Sequence, residues 1–289
     1  MLSKSEVVSV LCVFASAGKK ISVPESKGCG VSASAAFSLR YYKFNNNLDL
    51  SGQNLNGASF RNCTLGMVDF TDAWINNVNF YSAKSFSAEQ LYSTASYKNK
   101  DLSGIDFRFV DVKNWDFSEQ NLSGVNFYSG DFTGADFTDS IITNTDFRAS
   151  NLTFDQLKST ASYKNKDLTG VQFDDLKMGG WNFVGQNLTG ASLSGASLSN
   201  SDFTNSIITG ASLYFTTDRG FTREQFYSTA SYKNKNLTGV DLGDNDLAGW
   251  NLSGQNLTGA SFYSSDLTDT NFTDSIITGA SFWRASATL

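Results

Sequence analysis

The feature that most constrains this chain is a five-residue beat. From Gly254 to Phe282, the residues Leu257, Phe262, Leu267, Phe272, Ile277 and Phe282 fall at every fifth position. Asn256, Ser261, Asp266, Asn271 and Ser281 stand immediately before five of them. Side chains repeat every 3.6 residues on a helix and every 2.0 on a strand, so a period of five fits neither. It needs a chain that turns a corner once per repeat and sends one large apolar side chain inward each time. That is the requirement of a solenoid.

The same beat occupies Leu50 to Phe80, Leu102 to Leu152 and Leu168 to Leu213, and resumes at Leu237. Of its 39 positions, 36 hold Phe, Leu or Ile, the others being Val112, Met178 and Ala287, which leaves chance no role. The pattern A-[DN]-[LF]-x-x, as in Ala135-Asp136-Phe137-Thr138-Asp139, resembles the pentapeptide-repeat family. The resemblance implies an all-β fold over residues 48–289: a right-handed quadrilateral parallel β-helix, a solenoid with four pentapeptides per coil. The residue chemistry agrees with it. Each stacked Phe or Leu contributes roughly 1.5–3 kcal/mol on burial. Asp, Asn and Ser suit tight corners because their short polar side chains bond nearby backbone. The single proline, Pro24, lies outside the beat, where it removes no ladder N–H. At a coil rise of about 4.8 Å the repeats would build a rod of about 50 Å.

Residues 1–44 stand outside the beat. Val7 to Ala17 is mostly apolar, follows Lys4 and ends Ala15-Ser16-Ala17, which reads as a signal peptide over residues 1–17. Glu6 and the single leading lysine point instead to a short amphipathic cap helix. The first reading sends the chain to the exterior or cell envelope, the second leaves it cytoplasmic. Residues 18–47 form an N-terminal segment and cap, in which Phe37, Leu39 and Tyr41 alternate with Ser38 and Arg40 as a strand covering the first coil. Cleavage would remove Cys12 and leave Cys29 and Cys63 as a candidate disulfide pair. No Cys-x-x-Cys spacing occurs, and no apolar run reaches the length of a membrane span.

A longer period lies inside the short one. The phrase from Ser93 to Lys100 returns from Ser159 to Lys166 and from Ser228 to Lys235. Each copy follows a capping-box signal, in which Ser87, Thr153 or Thr222 precedes Gln90, Gln156 or Gln225 by three residues. The expectation is three short helical excursions, each one to two turns long and closed by a polar Tyr-Lys-Asn-Lys turn. Counting faces places them on one side, three coils or about 14 Å apart. Trp115, Trp181 and Trp250 mark the same period at positions where the family usually has a small inward residue. Such a ring must widen the coil or swing onto the surface.

Histidine is absent, which excludes Ser-His-Asp and Cys-His catalysis. The carboxylates fall at corner positions, and no Gly-rich phosphate loop of the G-x-x-x-x-G-K type occurs. Asn-x-Ser/Thr triplets arise automatically from the repeat. We therefore expect no enzyme, cofactor or metal. The favoured reading is a structural or protein-interaction scaffold whose partner is a protein or an anionic polymer. The alternative resembles the gyrase-protecting members of the family, which mimic duplex DNA with a rod of acidic charge and dimerise through their ends. A net charge of −6 is modest for such a mimic, and its sign argues against direct nucleic-acid contact. The uncapped Ala287-Thr288-Leu289 end favours an end-to-end homodimer. The candidate binding surface comprises Tyr97, Lys98 and Lys100, then Tyr163, Lys164 and Lys166, then Tyr232, Lys233 and Lys235. An aromatic ring beside two cations, repeated, suits an extended anionic polymer.

Overall fold

The computed structural model describes residues 38–41, 43 and 47–287, in two compact units, Met1–Ile141 and Ile142–Leu289. The expected signal peptide, Cys12, Cys29 and Phe37 lie outside the described residues. In both units the backbone pairs with itself in parallel at twenty-residue intervals: Asp116 with Asp136 in the first, Asn187 with Ile207 in the second. Twenty residues are four pentapeptides, so each unit is a stack of four-faced coils. A face is so short that pairing is reduced to isolated bridges. The exception is β1 (Leu48–Asp49) against β2 (Val68–Asp69).

The corners follow from the pentapeptide. The carbonyl of each central apolar residue accepts the N–H three residues on, as when Ala58 N–H donates to Leu55 at 2.8 Å. The third residue of this turn has positive φ, as a type II turn requires, with examples at Gly57 (73°), Asn77 (58°) and Asp139 (58°). Gly104 shows why glycine recurs there, since a Cβ would lie 2.0 Å from Asn77 Oδ1. The polar residue before the centre fixes the other side of the strand. Its Oδ1 accepts the N–H two residues on, from Ser118 to Asp116 (2.8 Å), Thr138 to Asp136 (2.8 Å) and Thr204 to Asp202 (2.9 Å).

The central residues stack along the interior. In the first unit Phe60, Phe80, Phe107 and Phe127 form one ladder with ring centroids 5.7, 5.9 and 5.6 Å apart and nearly parallel planes. In the second, Phe183 stacks on Phe203 at 5.1 Å. Residues two before each centre, such as Ala58, Cys63, Ala191 and Ala211, are buried beside them. Cys63 is packed inside, its thiol donating to the Leu39 carbonyl at 3.4 Å. Ser38 and Lys43 pair in parallel with the first coil through Ser38–Ser59 and Lys43–Thr64. Leu39 is buried there, but Tyr41, expected to face inward with it, is 77% exposed, because it occupies the positive-φ corner (60°) and not the face.

Each interruption is two helices, not one. They are α1 (Ala88–Ser93) and α2 (Ala95–Lys98), α3 (Phe154–Ser159) and α4 (Ala161–Lys164), and α5 (Arg223–Ser228) and α6 (Ala230–Lys233). The first of each pair starts at a complete capping box on Ser87, Thr153 or Thr222. The second covers part of the stretch expected as a polar turn. Thr94, Thr160 and Thr229 cap it, each side chain accepting the tyrosine N–H three residues on at 3.1 Å. Before α5 the longer third interruption adds a short 3-10 turn, Thr217–Arg219, and buries Phe221 against Phe203. There Leu198 N–H donates to the Arg219 carbonyl, so the added residues stand in for a face.

In denaturant unfolding, Phe107→Ala should cost about 3–5 kcal/mol, because a stacked ring cannot be replaced by collapse of a stiff coil. Asp136→Ala should cost about 1 kcal/mol through its lost corner bond. Equal costs would refute the assignment of core and corner.

Candidate interaction surfaces

Wherever a helix pair replaces a face, the neighbouring coils lose some of the backbone partners that a strand would supply. The repeated phrase replaces them with side chains. Towards the preceding coil, Ser96, Ser162 and Ser231 Oγ accept the N–H of Ile75, Ile142 and Ile208 at 2.8, 3.0 and 2.9 Å. Gln90 Nε2 donates to the Leu65 and Val68 carbonyls, and Gln225 Nε2 does the same to Leu198 and Ser201. Gln90 and Gln225 thus each start a helix and tie it to the coil.

Towards the following coil the tyrosines close the gap. Tyr97, Tyr163 and Tyr232 hydroxyls donate to the Asp116, Asn182 and Asn251 carbonyls at 3.1, 2.7 and 2.7 Å. In two of the three copies a second tyrosine takes the matching N–H. Tyr92 Oη accepts from Asp116 at 2.6 Å, and Tyr227 Oη accepts from Asn251 at 2.5 Å. Each ring pair is in contact, at 4.6 Å for Tyr92–Tyr97 and 4.4 Å for Tyr227–Tyr232. Lys158 occupies the second-tyrosine place in the middle copy. From below, Gln120, Gln186 and Gln255 Nε2 donate to the carbonyls of the same three tyrosines at 3.3, 3.1 and 3.1 Å. This gives the Gln-Asn-Leu runs at 120–122, 186–188 and 255–257 a role beside the helix pairs.

The three tryptophans are buried under these helices, not swung onto the surface: Trp115 meets Phe86 at 5.8 Å, Trp181 meets Phe154 at 5.6 Å and Trp250 meets Phe226 at 5.2 Å. Replacing a face by a helix pair makes the room that a regular corner lacks.

The expected site therefore divides by residue type. The tyrosine hydroxyls are engaged by the solenoid itself. The lysines reach out in opposite directions. Lys98 pairs with Asp72 at 2.7 Å and Lys233 donates to Asn205 at 3.0 Å, both on the preceding coil. Lys100 pairs with Glu119, and Lys166 donates to the Val184 carbonyl at 3.1 Å, on the following coil. Lys98 and Lys100 remain 49% and 56% exposed, so such pairs are solvent-screened and worth little. Lys100, Lys166 and Lys235 have φ of 57°, 60° and 57°, the left-handed region where a long side chain is strained. Within the second unit, α3–α4 and α5–α6 lie on the same face. The link runs from Tyr163 to Asn182, across the Asn182–Asp202 bridge, and from Asn205 to Ser228. Among the described residues there is no His/Cys/Asp/Glu group suited to a metal and no helix long and apolar enough to cross a membrane.

Burial pushes the Tyr97, Tyr163 and Tyr232 phenols above their ordinary value of 10. The unfolded chain therefore releases these protons first as pH rises. Their contribution is whole below about pH 10 and is lost progressively above it. Thermal midpoints should fall steeply above about pH 10, and less steeply when all three are changed to Phe. Lys158→Tyr should restore the missing acceptor for Asn182 N–H and stabilise by about 1 kcal/mol in denaturant unfolding; a loss of stability would contradict the clasp geometry.

The profile described as Pentapeptide repeats matches in eight copies, over residues 46–80, 101–139, 121–153, 167–205 and 236–274, more than half of the chain. Among solved structures the chain is similar to HetL, a pentapeptide repeat protein involved in heterocyst differentiation regulation from the cyanobacterium Nostoc sp. strain PCC 7120. Identity is 15%, covering 99% of this chain and 97% of that one, with a TM-score of 0.23. Trypsin-treated QnrB1, a plasmid-mediated fluoroquinolone resistance protein, is 16% identical over 88% of this chain and 90% of its own, with a TM-score of 0.21. A pentapeptide repeat protein from the Arabidopsis thaliana thylakoid lumen is 19% identical over 57% and 70%, with a TM-score of 0.19. No curated protein matches. The unit that sets every corner is the family's own, and the chain belongs to the pentapeptide-repeat family.

Proposed function

We propose that the chain is a non-catalytic interaction scaffold, wound right-handed as parallel crossovers are, that presents rows of side chains to a protein or an anionic polymer. The fate of the carboxylates carries this reading. Asp116, Asp136, Asp202 and Asp266 each hold the backbone N–H two residues on. The acids of the repeat are committed to shape, and what the surface retains is recognition at fixed intervals.

The six lysines of the repeated phrase are its proposed polyanion contacts. Lys100, Lys166 and Lys235 support this, since the fold alone would favour Gly or Asn at their positive φ. The DNA-mimic alternative needs an unbroken acidic row. In the first unit Asp49 and Asp69 are separated by α1–α2 from Asp116 and Asp136, and in the second unit the corresponding places include Asn182, Asn251 and Asn271.

Replacing Lys98, Lys100, Lys164, Lys166, Lys233 and Lys235 with Ser should weaken binding in a panel of sulfated and phosphate polymers by about tenfold or more. Calorimetry of both proteins at two salt concentrations measures this. Unchanged affinity would remove the lysines from the site, and turnover of any panel member would refute the non-catalytic reading.

A further inference from the structure

One row of the first unit has a composition the repeat does not require. Backbone bridges join Ser38, Ser59, Asn79, Asp106 and Asn126 in succession. Two residues after each, Arg40, Arg61, Tyr81, Arg108 and Tyr128 therefore form a row across successive coils. Those are all the arginines between residues 1 and 141. The guanidinium groups of Arg61, one coil before, and Arg108, one coil after, lie 4.2 and 5.0 Å from the centre of the Tyr81 ring. Phe109 packs edge-on against Tyr81 at 5.3 Å and against Tyr128 at 5.9 Å.

Strain and charge both set this row apart. Among the described residues of the unit, Tyr41 and Phe109 are the aromatic ones with positive φ, 60° and 58°, and they are 77% and 49% exposed. Asn62, Ser82 and Ser129 fill the same corner in other coils. A bulky ring there is both strained and wetted, which belongs to recognition and not to folding. One acid, Asp106, lies on the bridged row, and Arg108 holds it with a fork of 2.9 and 2.7 Å. Among the described residues Arg40 and Arg61 meet no carboxylate, and Arg61 Nε is buried with no acceptor. This face is positive on a chain whose net charge is −6.

We propose that the row binds an acidic polysaccharide, its uronate carboxylates seated on the arginines. The coil rise of about 4.8 Å is close to the advance of one sugar ring, so Arg61 and Arg108, two coils or about 9.6 Å apart, match carboxylates on alternate rings. An extended peptide places same-side groups about 6.6 Å apart and falls out of step. A guanidinium carries a second N–H edge, so Arg108 can seat a uronate carboxylate while its first edge holds Asp106. Stacking on Tyr81 holds Arg61 and Arg108 in place, and Phe109 offers an apolar edge to sugar C–H groups. The proposal rests on the scaffold reading but places the ligand away from the lysines.

Hyaluronan, with a carboxylate on alternate rings, is the probe; dextran, polyglutamate and oligo(dT) are the controls, each titrated calorimetrically into the full chain. The wild-type chain should bind hyaluronan saturably and more weakly in salt, and should ignore dextran. The combined Arg40→Gln, Arg61→Gln and Arg108→Gln variant keeps most of each packed stem and should bind about tenfold less tightly or worse. The six-lysine variant should stay within about twofold. Phe109→Gly should weaken binding while raising the thermal midpoint, because glycine relieves the corner; a merely structural ring would lower both. No wild-type binding to hyaluronan overturns the proposal. So does equal or tighter binding of polyglutamate or oligo(dT). Binding lost in the lysine variant and kept in the arginine variant removes the row while leaving the scaffold standing.

Discussion

A ladder of backbone hydrogen bonds tolerates no gap, and the rest of this structure depends on that. Every coil offers N–H and C=O groups that must meet partners above and below or be left unsatisfied at a cost. Along plain coils the supply is automatic, from residues such as Leu188 to Ile207 and Asn187 to Lys166. At the helix pairs it is not automatic. There hydroxyls and amides from Ser96, Gln90, Tyr92 and Tyr97 act in place of backbone. The repeated phrase is a set of substitutes for a strand, and its near-identity in three copies reflects how many atoms must be replaced at once.

That division explains what could be read from sequence. The five-residue beat was legible because each pentapeptide buries its own centre and builds its own corner, through contacts two or three residues apart. The capping boxes at Ser87, Thr153 and Thr222 were legible for the same reason. The second helix was missed because Thr94 serves at once as the end of α1 and the cap of α2. The place of Trp115 stayed open between a wider coil and the surface because its neighbour Phe86 lies twenty-nine residues earlier, and nothing local announces that contact. Tyr97 suggested a binding ring because it recurs beside two lysines, and nothing in the sequence showed that its hydroxyl answers to Asp116, on the coil below.

Surface chemistry follows the same logic at longer range. Arg61, Tyr81 and Arg108 are separated by twenty and twenty-seven residues, and only the register of the coils makes them neighbours. A row of this kind has no motif in the chain. It is read by writing the sequence as stacked coils and looking down a column.

The helix pairs also decide where the chain can change length. Plain coils pair at an offset of twenty, as from Asp167 to Asn187, and one added residue would turn every later centre out of the core. Coils that carry a helix pair span other intervals: Asn79 to Asp106, Asp146 to Gln172 and Ser212 to Asp241. These differ by one to three residues, yet the register beyond each is restored. Insertions and deletions that would scramble the solenoid elsewhere are absorbed there, which makes the helix pairs the joints at which such a chain can lengthen, shorten or recombine.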